Sequence, residues 1–295
     1  ARPGGCDYTE YEKLATPLRS SGNGGMGVTQ SLVDAFSMEN GLPITDPASN
    51  YKEEGFSDAD EQRDNTDWAS ICNGGSITRK GTYNMYCHRE PRFYICVNFN
   101  NGYFNQEDRV YNMFRGDGTE TDNNGTHDAP QNGYFAKKKI YYKDNVKQGS
   151  YQYRPGILYR LGEAYLNYAE ALNECDPGNE EILTYLNKIR ERAGVADVNS
   201  KYVSDPHKFM DEIRRERAVE LAFEGHRFWD VRRWKEADKY FVNIEGLQIS
   251  KTGDNTAYSY STVVNTRQWD DKMYLFPIPQ SERMKNPNLS QNPGW

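Results

Sequence analysis

No stretch of this chain is apolar for long enough to cross a bilayer, which takes about 20 consecutive apolar residues, so no membrane span is expected and the chain itself reads as soluble. Apolar side chains are scarce throughout: they make up 36% of 295 residues, and the mean hydropathy is −0.94. Positive charge is also short. The net charge is −7 and the only basic triplet is Lys137–Lys139, which argues against a nucleic-acid grip, since that needs clustered Lys and Arg to neutralise phosphates. Cysteine is limited to Cys6, Cys72, Cys87, Cys96 and Cys175, with no Cys-x-x-Cys pair and no histidine at zinc spacing. No metal site follows from them, and an odd count so dispersed suits mostly buried free thiols.

Catalytic signatures are missing as well. There is no H-E-x-x-H, no G-x-S-x-G and no Walker lysine loop, and among 43 acidic residues no two stand out as a glycosidase pair. No catalytic residue and no cofactor is therefore expected. Gly22, Gly24 and Gly27 do fit G-x-G-x-x-G, but Pro17 and the lack of a preceding buried strand remove the context that a phosphate-cradling loop requires.

Aromatic rings are what the chain has in quantity, 13% of residues including 22 Tyr and 5 Trp. Such rings fill cores, and when exposed they stack on flat apolar faces such as those of sugars. The stretch Leu42–Gly81 has little periodicity and puts Tyr51, Phe56 and Trp68 among Asn50, Arg63, Asp64, Asn65 and Asp67. A pyranose needs that mixture: a ring for its C–H face, and planar amide, carboxylate or guanidinium groups for paired hydroxyls. Trp68, Tyr51, Arg63, Asn65 and Asp67 are the candidate sugar contacts, with Trp68 foremost. The alternative for Trp68 is a core residue that pins the loop to the body. The acid run from Glu53 to Asp67 reads as a solvated loop. A calcium site is the sharper alternative, although the glycine and terminal glutamate of a known calcium loop are missing. Tyr103, Phe104 and His127, beside the polar tract Gly116–Gly133, form a second candidate rim.

The chain is expected to be mainly α, built of tetratricopeptide-like helical hairpins with long irregular loops and a few short β-strands. Thr29 caps a short helix with Leu32, Val33 and Phe36 on its apolar side, closed by Asn40-Gly41. Phe93, Ile95, Val97 and Phe99 alternate at strand period after Pro91, and Arg89 and Arg92 are placed to clamp a carboxylate of the C-terminal helix. Leu158, Leu161, Gly162, Tyr165, Ala169 and Leu172 keep helical spacing. After a turn at Asp176-Pro177-Gly178 come Ile182, Leu186 and Ile189, giving a helical hairpin that needs neighbours to cover it. From Phe209 to Trp234 the spacing predicts one long, mostly buried helix with Phe209, Ile213, Leu221, Ala222, Phe228, Trp229 and Val231 inward. Its Glu216, Glu220 and Glu224 stack at i, i+4 and call for cations, with Arg217, Arg227, Arg232 and Arg233 nearest. Gly225 marks either a kink or the pressure of a neighbouring backbone. Tyr258 and Tyr260 alternate with serines as in a hairpin edge. Pro277, Pro279, Pro287 and Pro293 predict an extended tail, anchored by Leu275, Phe276, Ile278, Leu289 and Trp295.

The run RRERAVELAFEGHRFWDVRRW closely resembles the signature helix of the SusD/RagB family, surface glycan-binding lipoproteins. VTQSLVDAFSMENG, YNMYCHREPRFY, LYRLGEAYLNYAEALNE and the tail YLFPIPQSERMKNPNLSQNPGW second the resemblance in the family's order. It implies a single body over 1–295 that forms the C-terminal portion of a longer protein, with a loop-rich ligand-facing part at 1–150 and a helical frame with tail at 151–295. It further implies a non-catalytic binder of oligosaccharide or polysaccharide at the cell outer membrane, held by a lipidated N-terminus not present in this chain. Cys6, preceded by Ala-Arg-Pro-Gly-Gly, is not that lipidated cysteine. The implied partner is a SusC-like TonB-dependent transporter, to which the protein hands glycan fragments. The implied compartment would permit a disulfide between two of the five cysteines. The competing expectation is a tetratricopeptide-like interaction scaffold or a binder of peptide cargo.

Overall fold

The computed structural model describes residues 8–63, 76–104, 107, 109–114, 130, 132–252, 255–262 and 267–295. In chain order, helices α1 (Tyr8–Ala15) and α2 (Gln30–Ala35) precede a two-stranded pair, β1 (Glu61–Gln62) with β2 (Ser76–Thr78). Helix α3 (Pro91–Cys96) runs directly into β3 (Val97–Asn98), followed by β4 (Tyr103–Phe104), β5 (Arg109–Val110) and β6 (Phe135–Ala136); β4 pairs with β5, and β3 with β6. The helical frame is α4 (Leu161–Cys175), α5 (Glu181–Arg192), α6 (Pro206–Glu220), α7 (Arg227–Arg233) and α8 (Ala237–Phe241). The antiparallel hairpin β7 (Glu245–Thr252) and β8 (Asn255–Thr262) and helix α9 (Gln280–Lys285) complete it. The fold is mainly α with short strands, as expected.

Two cores form, and α6 joins them. One packs Val33 of α2 and Phe36, just after it, against Met85, Tyr86, Phe93, Phe99 and Phe135, with Val219 of α6 and Leu247 and Ile249 of β7. The other buries Leu166, Ala169, Ile182, Leu186 and Ile189 of the α4–α5 hairpin against Phe209, Ile213 and Leu221. The hairpin is thus the expected one, turned by Gly178 at φ +89°. Leu158 and Leu161, however, point to solvent at 95% and 63% exposure, and Leu166 takes the inward place.

The signature segment is two helices, not one. After Glu220 the chain breaks with Phe223 at φ 61° and Gly225 at φ 86°, both left-handed, and α7 restarts at Arg227. No atom lies within 4 Å of where a Gly225 Cβ would stand, so the break is a matter of backbone conformation and not of a pressing neighbour. Restarting on a new axis leaves Phe228 and Trp229 largely exposed, whereas Phe209, Ile213, Leu221, Ala222 and Val231 are buried.

Residues 91–96 are helical where alternation suggested a strand, and only Val97–Asn98 is extended. Arg92, Phe93, Tyr94 and Cys96 are all buried, so burial on nearly every side erased the difference between periods, and Pro91 sits at the first helical turn, where its missing N–H costs nothing. Helix α2 keeps its Thr29 cap, whose Oγ1 accepts from the Leu32 N–H, but ends at Ala35, before Asn40-Gly41. The tail is not wholly extended: α9 fits between Pro279 and Pro287. Its Trp295 is tied by Nε1–H to the Lys272 and Leu275 carbonyls, while Leu275 and Phe276 remain about half exposed. Cys87 and Cys96 are buried free thiols and Cys175 is exposed; Cys6 and Cys72 lie outside the described residues.

Gly22 is fixed by crowding: a Cβ there would meet the Thr16 carbonyl oxygen at 2.0 Å. That close approach accounts for the first glycine of the G-x-G-x-x-G string without a phosphate.

Candidate functional site

The polar loops between Met38 and His88 enclose a cleft of about 570 Å³. Phe56 stands at it, 46% exposed as a residue, and its ring is braced by other rings. It meets Tyr83 edge to face at 5.6 Å, and Tyr83 in turn stacks on Tyr258 of β8 at 3.8 Å with the planes 2° apart. Asn100 Nδ2 donates to the Tyr258 hydroxyl at 3.0 Å, which fixes the last ring of this column. An exposed ring held by a rigid stack loses little freedom when a ligand covers it.

Around Phe56 the cleft offers Asn40, Asn50, Lys52, Asp58 and Asn84. Asn84 Nδ2 donates to the Glu54 carbonyl at 2.7 Å and so holds the loop that carries Phe56. The Asp60 carboxylate accepts from the Lys80 N–H at 2.7 Å and the Ser76 hydroxyl at 3.3 Å, which ties the acid run to β2. Burial pushes the neighbouring Cys87 thiol up to about 11, so it lines the cleft as a neutral thiol.

Glu39, Glu61 and His88 bring three ligand-type atoms within 4.8 Å of one another at one side of the cleft, the single such group among the described residues. A guanidinium already serves these carboxylates: Arg63 Nη2 lies 3.3 Å from Glu61 and 3.8 Å from Glu39. Glu61 Oε2 also accepts from the His88 N–H at 2.9 Å and the Thr78 hydroxyl at 3.1 Å. This is a neutralised polar corner rather than a bare acidic cage.

Of the residues singled out from sequence, Arg63 stands just behind this cleft, donating to the Arg89 carbonyl at 2.7 Å and lying over the Tyr94 ring. Tyr51 is half-buried against the first core with the Arg89 guanidinium 5.7 Å from its ring. Neither Tyr51 nor Arg63 lines the cleft itself. Trp68, Asn65 and Asp67 lie outside the described residues, as does His127. Phe104 is buried in the core, and Tyr103 is half-buried with Arg79 over its ring, so the second rim keeps one partly accessible ring. Phe56 was visible in the sequence as a ring among polar residues. Asn40 and Asn84 carried no signal beyond turn formation, because they reach the cleft through tertiary folding alone.

Beneath the site runs a buried ion network. Arg92 pairs with Glu90, Glu216 and Glu220; Arg190 pairs with Glu212 and Glu216; Arg160 joins Glu220 to Glu224, and Lys138 also meets Glu224. The clamp by Arg92 is the one foreseen. The expected cations are elsewhere: Arg217 binds Asp230, Arg233 binds Glu170, Arg232 donates to the Met273 carbonyl, and Arg227 stacks on Tyr240. Burial alone would raise Glu216, but Arg92 and Arg190 outweigh it and hold the carboxyl down at about 2. Burial is likewise outweighed at Glu224, which Arg160 and Lys138 keep at about 2.

The sequence model of the SusD family matches residues 2–295. This chain belongs to the SusD family. A SusD-like protein of Bacteroides fragilis with a solved structure is 30% identical, with a TM-score of 0.69 over 93% of this chain and 48% of that one. A second solved structure from the same organism, a SusD-like carbohydrate-binding protein, shares the fold at 24% identity and a TM-score of 0.59, over 89% of this chain and 48% of that one. The curated SusD-like protein P2 of Formosa agariphila is 33% identical over 159 residues, which are 52% of this chain and 28% of that protein. The SusD-family chain thus spans about half the length of its solved relatives and less of the curated ones.

Proposed function

We propose that this SusD-family chain binds a carbohydrate in the cleft at Phe56, without catalysis. The observation that carries the reading is the Phe56 ring, exposed yet braced by Tyr83 and Tyr258 and bordered by Asn40, Asn50, Asn84 and Asp58. A sugar ring lays its C–H face on such a platform and offers vicinal hydroxyls to planar amides and carboxylates. A SusD-like carbohydrate-binding protein shares this fold. Trp68, Asn65 and Asp67 are proposed to add a second ring and further hydroxyl contacts, with Tyr51 and Arg63 positioning the wall. Residues 1–150 would then be the ligand-facing part and 151–295 its frame. In this reading the protein works at the cell outer membrane through a lipidated N-terminus and passes oligosaccharide to a SusC-like TonB-dependent transporter.

The test is retention on a panel of immobilised polysaccharides. Phe56→Ala and Trp68→Ala are each expected to weaken retention several-fold, in line with about 0.5–1.5 kcal/mol per ring contact beyond area burial, with thermal melts nearly unchanged. Retention intact in both variants, or new reducing ends released by the purified chain, overturns the reading.

A second reading has its own observation. Tyr153, Ile157, Leu158, Tyr159, Leu161 and Tyr168 expose a run of apolar side chains before and along α4. Such a surface suits a tetratricopeptide-like scaffold that docks protein or carries peptide. A pull-down with the transporter, beside the polysaccharide panel, separates the two roles.

A further inference from the structure

On a different face, the break between α6 and α7 opens a second cleft of about 740 Å³ that shares no lining residue with the first. Its walls are apolar, with Leu32 of α2, Leu221, Phe223 and Phe228 around the break, and Phe241 and Ile244 beyond α8. Sugars are poorly served by such walls. Two guanidiniums belong to the same lining, those of Arg227 and Arg267, and among the described residues no Asp or Glu does. In a chain with 43 acidic against 36 basic residues, a cleft with cations and no carboxylate is selective in sign.

Arg227 is the informative residue. Its guanidinium lies 4.3 Å from the Tyr240 ring centre and 5.5 Å from that of Trp234, so stacking fixes its plane. Yet Nη1 is buried with no hydrogen-bond partner among the described residues. A desolvated, positively charged donor left unpaired costs stability unless something supplies an acceptor. The buried guanidiniums of Arg190 and Arg217, by contrast, have found carboxylates within the chain.

We propose that this cleft binds an organic acid with an apolar body, its carboxylate on Arg227 and Arg267 and its hydrocarbon or aromatic part against Leu221, Phe223, Phe228 and Phe241. A carboxylate matches the guanidinium fork in geometry as well as charge. The site is independent of the sugar reading, because neither its residues nor its ligand chemistry overlap with the Phe56 cleft.

The probe is 4-phenylbutyrate, titrated into the full chain by calorimetry beside its uncharged analogue 4-phenylbutan-1-ol. The acid is expected to bind about tenfold more tightly than the alcohol. Arg227→Gln should erase that preference and leave the alcohol unchanged, with retention on polysaccharide unaffected. Arg227 also stacks on two rings, so Arg267→Gln, at an exposed side chain, provides the charge test if the first variant does not fold; a several-fold loss for the acid alone is expected. Equal affinities for acid and alcohol, no binding of the acid at millimolar concentration, or an acid preference that survives the substitution overturns the proposal.

Discussion

Arg92 touches three carboxylates at once, and removing it strands Glu90 in the interior and takes one cation from Glu216 and Glu220, which keep Arg190, Arg160 and Arg192. Glu90 and Glu216 have no exposed side-chain surface and Glu220 has 2%, so Arg92→Leu leaves uncompensated buried charge, an effect worth about 3–5 kcal/mol. Arg92→Lys keeps the charge but loses the planar fork that reaches Glu90 through Nε and the helix glutamates through Nη1, and it should cost about half as much. Urea unfolding of both variants checks this; a Lys variant as stable as wild type would mean that charge alone holds the network. That Arg92 meets α6 was legible, because its run contains too many charges for solvent alone to absorb. Arg89 was not: it is fully buried and donates to the Val33, Phe36 and Met85 carbonyls, and backbone acceptors leave no mark in a sequence. Nor could sequence distance identify the partners of Glu216 and Glu220, which come from Arg92, Arg160, Arg190 and Arg192 on other elements.

Two glycines with nearly the same backbone angle separate conformational cost from crowding. Gly225 ends the α6 break at φ 86° with open space around it, so Gly225→Ala meets only the left-handed penalty of about 1–2 kcal/mol. Gly133, at φ 76°, would place a Cβ 2.3 Å from the Leu247 carbonyl oxygen, and Leu247 N–H already bonds to the Asn132 carbonyl. Gly133→Ala must therefore also push the β7–β8 hairpin off the first core, and a loss of more than about 3 kcal/mol is expected. Thermal melts that rank the two alike would show that the hairpin yields freely. At this scale the α4–α5 hairpin and the β7–β8 hairpin were readable, since each has one buried and one wet face and hence a clear period. Helix α3 was not, because four of its six residues are buried. The break at Gly225 was half readable: the glycine announced it, but the left-handed Phe223 beside it did not.

At the scale of the whole molecule, carboxyls shifted in opposite directions bracket a pH of greatest stability. Glu216 and Glu224 sit near 2 in the folded chain, well below an ordinary glutamate at 4.5, and Arg233 on Glu170 and Arg109 on Glu107 lower those two against the pull of burial. Their contribution is complete above the ordinary carboxylate range and is lost as pH falls from about 4.5 toward 2. Glu12 runs the other way: burial, reinforced by the Asp144 carboxylate and only partly opposed by Arg154, raises it to about 7, and burial raises Asp34 as well. A raised carboxyl contributes most when protonated, so this part is present below 4.5 and disappears as pH climbs through 7. Stability should peak near pH 5, fall steeply below 4 and fall gently between 5 and 8. Glu12→Gln should flatten the neutral limb and leave the acid limb in place, because the ion network around α6 lies outside its contacts with Arg154 and Asp144. Urea midpoints taken at half-unit steps from pH 3 to 8 decide it, and a wild-type midpoint that rises steadily from pH 5 to 8 would refute the bracketing.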